Sequence, residues 1–504
     1  MRSAGFWAVL VLALVGESCG GQSVLEPYNR GIVALHNFGY DAAADYFRAA
    51  EKIDPNFVLA YWGEALTFNH PFEAMQDMAG GRKALAKLGS TRSERAAKAR
   101  TAREKEYLDA AEILYGDGDK DARDAGFANA MLKLASDYPD DADAAAFSAL
   151  AVLQTLRYGD HSFEKQTKAA EIAKKVLQKY PEHPGALHYL IHAYDDPAHA
   201  HLALDAAHQY EKILDPNSHS LHMPSHIYVQ LGLWPEVARA NQAAFDFSDK
   251  YVRSKNLSLA KRDYHTLEWL AYAEMQMGQY QKAREHTDIV LQTALETHAP
   301  GMTGYAATVS SRFAVETSQW DALSGYPVVS HTPELIFAQG MAAAARGDKS
   351  TVTMEISALN KMSQDEAASG QPVHAAKFAA MSNELNAQLA LSEKRFAEAG
   401  KFAADALEYE ADYEFPSGPP DLLKPAHELY GEVLLASNKP KEAAEQFAIS
   451  LQRMPKRALS LLGLARASSM LNDTAGANKA WKELAEVWAN ADPGVRTLLP
   501  GSKE

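Results

Sequence analysis

Residues 40 to 55 read Tyr40-Asp-Ala-Ala-Ala-Asp-Tyr-Phe-Arg-Ala-Ala-Glu-Lys-Ile-Asp-Pro55, and this stretch decides the fold. Ala43, Phe47 and Ala50 recur at helical spacing and define one buried stripe, and Pro55 cannot continue the helix. The same spacing returns near the other end of the chain, where Ala443, Phe447 and Ser450 precede Pro455. Small residues on either side of a single aromatic ring let a neighbouring helix approach closely, so each segment reads as the second helix of a helix-turn-helix unit. Between these two points the apolar residues recur every three or four positions, punctuated by Gly, Pro, Asp or Asn. No stretch sustains the alternation of a β-strand, which excludes a dinucleotide-binding sheet or another sheet-based core.

This pattern resembles the tetratricopeptide repeat, with its 34-residue period. Further pieces that carry the resemblance are Trp234-Pro-Glu-Val-Ala-Arg-Ala240, Gly278-Gln-Tyr-Gln-Lys-Ala283 and Arg395-Phe-Ala-Glu-Ala399, each a turn leading into a second helix. The expected fold is therefore all-α, a right-handed solenoid of about 10 to 12 helix pairs. Breaks in the pattern at Gly325-Tyr-Pro327 and Phe415-Pro-Ser-Gly-Pro-Pro420 suggest a division into an N-terminal solenoid over 24–320 and a C-terminal one over 331–492. Residues 412–420 then form a loop inside the second block.

The histidines are the most specific chemical signal. Seven of the 18 lie between His183 and His219. Two motifs stand out, His183-Pro-Gly-Ala-Leu-His188-Tyr-Leu-Ile-His192 and His219-Ser-Leu-His222-Met-Pro-Ser-His226, and each contains an HxxxH pair. Residues four apart share one helix face, so two such imidazoles can hold one ion. His188 to His222 and His192 to His226 are each separated by 34 residues, one repeat period, which predicts equivalent positions on successive first helices.

Counting back from the turns at Gly232 and Gly278 places these residues, with His265 and Glu268, on the concave stripe. The metal-ligand set is then His188, His192, His222, His226 and His265, and Glu268 is a ligand or the general base beside a metal-bound water. His219, Glu268 and Tyr272 line the groove, and Asp195 and Asp196 are placed to orient an imidazole. Pro224 interrupts the second pair and is expected to begin a helix rather than sit inside one. Imidazole suits zinc, copper or iron alike, so the expected cofactor is a divalent transition metal without further choice. The same histidines also fit contacts to a bound peptide, or a polar network internal to the fold. A second candidate, Tyr61-Trp62-Gly-Glu64 with Asn69-His70, offers an aromatic and acidic pocket, although core packing is the commoner fate of such aromatics.

The histidine motifs together with Tyr61-Trp-Gly-Glu-Ala65, His192-Ala-Tyr-Asp-Asp-Pro197, His222-Met-Pro-Ser-His-Ile227 and Asp263-Tyr-His-Thr-Leu-Glu-Trp-Leu270 resemble those of a group of exported bacterial tetratricopeptide proteins. The resemblance implies fold, export and the histidine motifs as a hallmark, and it implies no reaction.

Composition sets the remaining bounds. The 504 residues carry 50 Lys plus Arg against 65 Asp plus Glu, a formal charge of −15, without a basic run. That argues against nucleic acid as a partner, since phosphate binding needs a concentrated basic surface. Arg2, an apolar run from Phe6 to Val15 and small residues up to Cys19 have the layout of a signal peptide and tether over 1–22. The run is too short to span a bilayer, and no later segment is better suited. Cys19 is the only cysteine and a candidate for lipid attachment, which places the expected protein in a bacterial periplasm or on its envelope. The leading expectation is an exported scaffold that binds a protein or peptide in its groove. A metal-binding protein or metal-dependent enzyme built on the HxxxH pairs is the alternative.

Overall fold

The structure is a computed structural model, and it describes residues 23–501 apart from 73–74, 158–159, 161, 214–215, 325–331 and 413–416. The expected signal segment 1–22, with Cys19, lies outside the described residues, as do the centre of the expected break at 320–331 and part of the expected loop at 412–420. Among the described residues the protein is helical throughout, and its only sheet is a two-residue ladder pairing Asn69–His70 with Met75–Gln76. No described helix is long and apolar enough to cross a membrane.

Consecutive helices pack as antiparallel pairs of tetratricopeptide type, and residues 40–55 show why. The helix Tyr40–Ile53 ends where Asp54 adopts an extended backbone, as a residue preceding proline must. Ala43, Phe47 and Ala50 are fully buried. The Phe47 ring lies between two glycines of the flanking helices Leu25–His36 and Val58–Leu66. A Cβ on Gly31 would stand 2.6 Å from that ring, and one on Gly63 would stand 2.4 Å from it, so only glycine admits the phenyl there. The echo at Phe447 is built alike, with Gly431 and Gly463 on the helices Ala426–Ala436 and Ala458–Met470. Burying each ring contributes about 1.5–3 kcal/mol.

The chain divides into two compact units. The first takes residues 1–193 with 212–219, and the second takes 194–211 with 220–504. The expected break at 320–331 falls inside the second unit. In the first, the helices Ala102–Leu114, Lys120–Asp137, Ala142–Gln154, Glu164–Lys179 and Pro184–Ala193 follow one another as packed neighbours. Its core holds Trp62, edge-on to Tyr107 and Phe147 at 4.8 and 5.3 Å between centroids. Core packing therefore accounts for Trp62, and Glu64 is buried in ion pairs with Arg48 and Lys87. The aromatic and acidic pocket expected around these two residues is not formed.

The second unit runs from the helix Trp234–Ser254 through the pair Tyr264–Gln276 and Tyr280–Thr297 to Thr474–Val487. At its centre Arg457, fully buried, makes paired contacts to Glu316 at 2.8 and 3.0 Å and to Glu428 at 2.7 and 3.0 Å. The two carboxylates answer one guanidinium fork, the geometry that makes a buried charge tolerable.

Candidate metal centres

The helix Pro184–Ala193 starts with proline at its first position and carries His188 and His192 one turn apart. Their Nε2 atoms are 3.1 Å apart, and His219 Nε2 lies 3.2 Å from His188 Nε2. One ligand atom from each of the three residues lies within 4.8 Å of the others. Two nitrogens bound to one tetrahedral ion at ~2.0–2.1 Å stand about 3.3 Å apart, so the two short separations have the length that a shared ion requires.

Proton positions sharpen the point. His188 Nδ1 is 2.6 Å from the backbone carbonyl of His36, which can only accept, so Nδ1 carries the hydrogen and Nε2 of the neutral ring presents its lone pair. Two imidazoles then face that single lone pair. One lone pair accepts one N–H donor, whereas an ion shared among the rings would be coordinated by a nitrogen from each.

Aromatic rings wall this centre. Phe38 follows the helix Leu25–His36 in a left-handed backbone turn, φ +53°, which brings its ring to 4.4 Å from His188 and 5.1 Å from His219. Phe72, from the turn of the small β-ladder, stacks flat on His192 at 3.7 Å. His188 is buried, while His192 and His219 are half-buried, so a bound ion keeps access on one side. Three imidazoles and an open fourth position are the donor set of a Lewis-acidic zinc centre.

A second group in the same unit has ligand-like proximity but different chemistry. His36, Asp143 and His183 are all buried, with His36 Nε2 at 3.0 Å and His183 Nε2 at 3.3 Å from Asp143 Oδ1. His183 Nδ1 accepts the Ala186 backbone N–H at 3.2 Å, and His36 Nδ1 lies 2.9 Å from the Tyr189 hydroxyl. Each neutral ring thus accepts on Nδ1 and donates Nε2–H to the carboxylate, and every site is satisfied without an ion. Burial pushes the His36 imidazole down to about 4 against the pull of Asp143. Hydrogen bonds from both histidines hold the Asp143 carboxyl below its usual range despite its burial.

In the second unit the other HxxxH pair is split by Pro224, which opens the helix Pro224–Gln230, so His222 closes the preceding helix Ser218–His222. The break expected at Pro224 is present, and the pair still meets, with Nε2 atoms 3.0 Å apart. His265 Nε2 is 3.2 Å from His222 Nε2. His226 Nδ1 donates to Asp195 Oδ2 at 2.7 Å, the orienting role expected of that residue. Asp196 orients His199 instead, at 2.9 and 3.0 Å.

Glu268 is placed otherwise than as a free base. Its Oε2 accepts from the Tyr305 hydroxyl at 2.7 Å, and Oε1 faces Arg312 Nε at 3.4 Å. Tyr272 is buried, with its hydroxyl 3.1 Å from Arg457 Nη1, in the internal ion network and not on a groove wall. The sequence reading missed His219 as a ligand, the walls Phe38, Phe72 and Trp269, and His36 as the carbonyl behind His188. Only His219 carried a signal, through its closeness to the motif.

No protein-family model and no curated protein matches the chain. Among solved structures the chain is similar to yeast Tom70, at 14% identity over 92% of each chain with a TM-score of 0.30. It is also similar to a human IFIT1 dimer with PPP-AAAA, at 13% identity over 93% of this chain and 96% of that one, TM-score 0.37. A third is the P58(IPK) TPR domain, at 12% identity over 90% and 99%, TM-score 0.22. At such scores these likenesses add nothing to the architecture read from the helix pairs. The similar structures named for a source are of yeast and human proteins, which stands against the expected bacterial periplasmic or envelope location. The protein is thus an all-α, tetratricopeptide-like repeat, an architecture consistent with scaffolding, that brings His188, His192 and His219 together at metal-ligand-like spacing.

Proposed function

We propose that the protein binds a divalent transition metal through His188, His192 and His219. The observation that carries this reading is the gathering of three Nε2 atoms about His188, whose own tautomer is set by the His36 carbonyl. Imidazoles serving a peptide would be splayed along a surface to meet successive groups of it, and these converge. The His36 carbonyl is the backing group that metal-bound histidines commonly have on their second nitrogen. Ligand type favours zinc, copper, iron or nickel over magnesium or calcium, which prefer oxygen.

The test is metal content by mass spectrometry on untagged chain, followed by zinc titration of the chelator-stripped protein. A near-stoichiometric ion is expected, and the His188→Ala/His219→Ala double variant should hold one ion fewer with unchanged helical circular dichroism. The same metal content in the double variant as in the parent would overturn the assignment.

A further inference from the structure

We infer that the C-terminal end of the second unit is a docking site for one amphipathic helix of a partner protein, which seats a glycine on Trp481 and turns a glutamate toward Lys482. The inference stands on the repeat itself and does not depend on a metal.

The packing around Phe47 and Phe447 shows what the site lacks. Each of those rings lies between a glycine sixteen residues before it and another sixteen residues after it, Gly31 and Gly63 in one case, Gly431 and Gly463 in the other. In the helix Thr474–Val487, Ala477, Trp481 and Leu484 keep the spacing of Ala443, Phe447 and Ser450, so Trp481 is the equivalent ring. The small residue before it is present, as buried Ala465 on the helix Ala458–Met470. No small residue follows on a covering helix. The next helix opens at Pro493, within one residue of a full period past Ala458, but it stops at Arg496 after 4 residues, where Ala458–Met470 runs for 13. The shortfall is about two and a half turns, or ~13 Å of helix. Thr497, sixteen residues past the ring, is exposed. Trp481 is accordingly only half-buried, and a cleft of about 700 Å³ opens along it, lined also by Asn472, Asn478, Lys482, Ala485 and Leu499. Met470, Leu471 and Leu498, chain neighbours of the lining residues, are exposed.

The charge of the occupant follows from the first repeat. There Arg48, next after Phe47, donates to Glu64, next after Gly63, at 2.7 Å. At the second ring the corresponding residues are Ala448 and Leu464, apolar on both helices. Lys482, next after Trp481, is exposed and has Glu486 only at 4.0 Å. This ring therefore carries the cationic half of the charged pairing, and a helix bearing Gly-Glu completes it as Gly63-Glu64 does. Asn478 and Lys482 stand where Ala444 and Ala448 serve the interior stack, and their polarity keeps the uncovered face soluble. An amphipathic helix laid in a groove is a recurrent mode of recognition.

The experiment uses the full chain and a fluorescein-labelled peptide of residues 57–69, which carries Gly63-Glu64, with anisotropy as the readout. Binding in the micromolar range is expected. The same peptide with Gly63→Phe should bind about 10-fold more weakly or worse, because its ring meets the indole. Trp481→Ala in the protein should abolish binding. Lys482→Glu in the protein, at an exposed position, and Glu64→Lys in the peptide should each weaken it up to about 5-fold, and the two together should restore it.

No binding, equal binding of the Gly63→Phe peptide, or no recovery in the double charge exchange would overturn the site. Self-association of the full chain in analytical ultracentrifugation that Lys482→Glu abolishes would make the occupant a second copy and overturn the partner assignment.

Discussion

Two histidine clusters of the first unit share one residue and differ in where their protons go. In the cluster of His36, Asp143 and His183, each ring has an acceptor partner for its hydrogen and a donor for its lone pair. In the cluster of His188, His192 and His219, nitrogens face nitrogens. His36 serves both, its side chain closing the first and its carbonyl setting the tautomer of His188 in the second. Proximity of ligand-type atoms is therefore a poor criterion for a metal site. The two clusters differ in whether the ring nitrogens meet a carboxylate, a hydroxyl and a backbone N–H or meet one another, and four expectations set the closed cluster against the open one.

The largest effect belongs to the closed cluster. Asp143→Ala leaves two buried imidazoles without their common acceptor, and removing one partner of a buried charged network costs about 3–5 kcal/mol. Urea unfolding in the presence of chelator should show that loss. A change below about 1 kcal/mol would mean the cluster does not support the fold, and its three ligand atoms would then deserve a metal titration of their own.

Next comes the open cluster. His192→Ala should weaken metal at the His188 centre by more than about 100-fold, beyond the 10–100-fold typical of losing a group that only backs a ligand. Its unfolding free energy in chelator should shift by under about 1 kcal/mol, because His192 is only half-buried. The inverse result, large destabilisation and unchanged affinity, would put His192 in the same class as Asp143.

The third expectation uses acid. His36 titrates at about 4 in the folded protein because burial disfavours its charge, and near 6.5 when unfolded. Between those values the unfolded chain binds a proton that the folded one refuses, so stability falls as pH falls through that window. Asp143 is held low and remains ionised there, so it adds no opposing slope. From about pH 7 to 4.5 the parent should lose about 2 kcal/mol more than His36→Gln does. Parallel curves would show that His36 is as readily protonated in the fold as outside it.

The sequence made local geometry legible and tertiary partners illegible. Ala43, Phe47 and Pro55 disclosed their helix pair, since helical period and the proline stop are properties of the chain itself. The meeting of His188 with His192 followed from a four-residue step on one helix, whereas His222 meets His226 across the break at Pro224, and Asp195 reaches the imidazole of His226 from 31 residues away. The third imidazole of each group was not deducible as such. His219 and His265 arrive from 31 and 43 residues beyond the first member of their pairs, through turns whose path the 34-residue period does not dictate. Glu268 shares a helix with His265, yet its carboxylate is claimed by Tyr305 and Arg312 from the helix Met302–Thr317, and nothing in residues 263–270 announces that claim. Nothing in the sequence around His36 announced its partners. Its real partners, Asp143 and His183, lie more than a hundred residues away.

The smallest effect tests whether aromatic walls contribute to the open cluster. Phe72 stacks on His192 with ring centroids 3.7 Å apart and planes 9° from parallel, and its ring is otherwise substantially exposed. A stacked ring fixes the imidazole in the rotamer that points Nε2 at His188, so less ordering remains to be done when an ion binds. Aromatic pairs of this kind contribute about 0.5–1.5 kcal/mol beyond area burial, which corresponds to a loss of about 2- to 12-fold in metal affinity for Phe72→Ala. The closed cluster has its own stacked ring, Phe147 on His36 at 4.1 Å, but that one is buried and its removal should register in unfolding instead. Unchanged affinity in Phe72→Ala would show that His192 is held in place by its helix alone, and that Phe72 merely covers the ring.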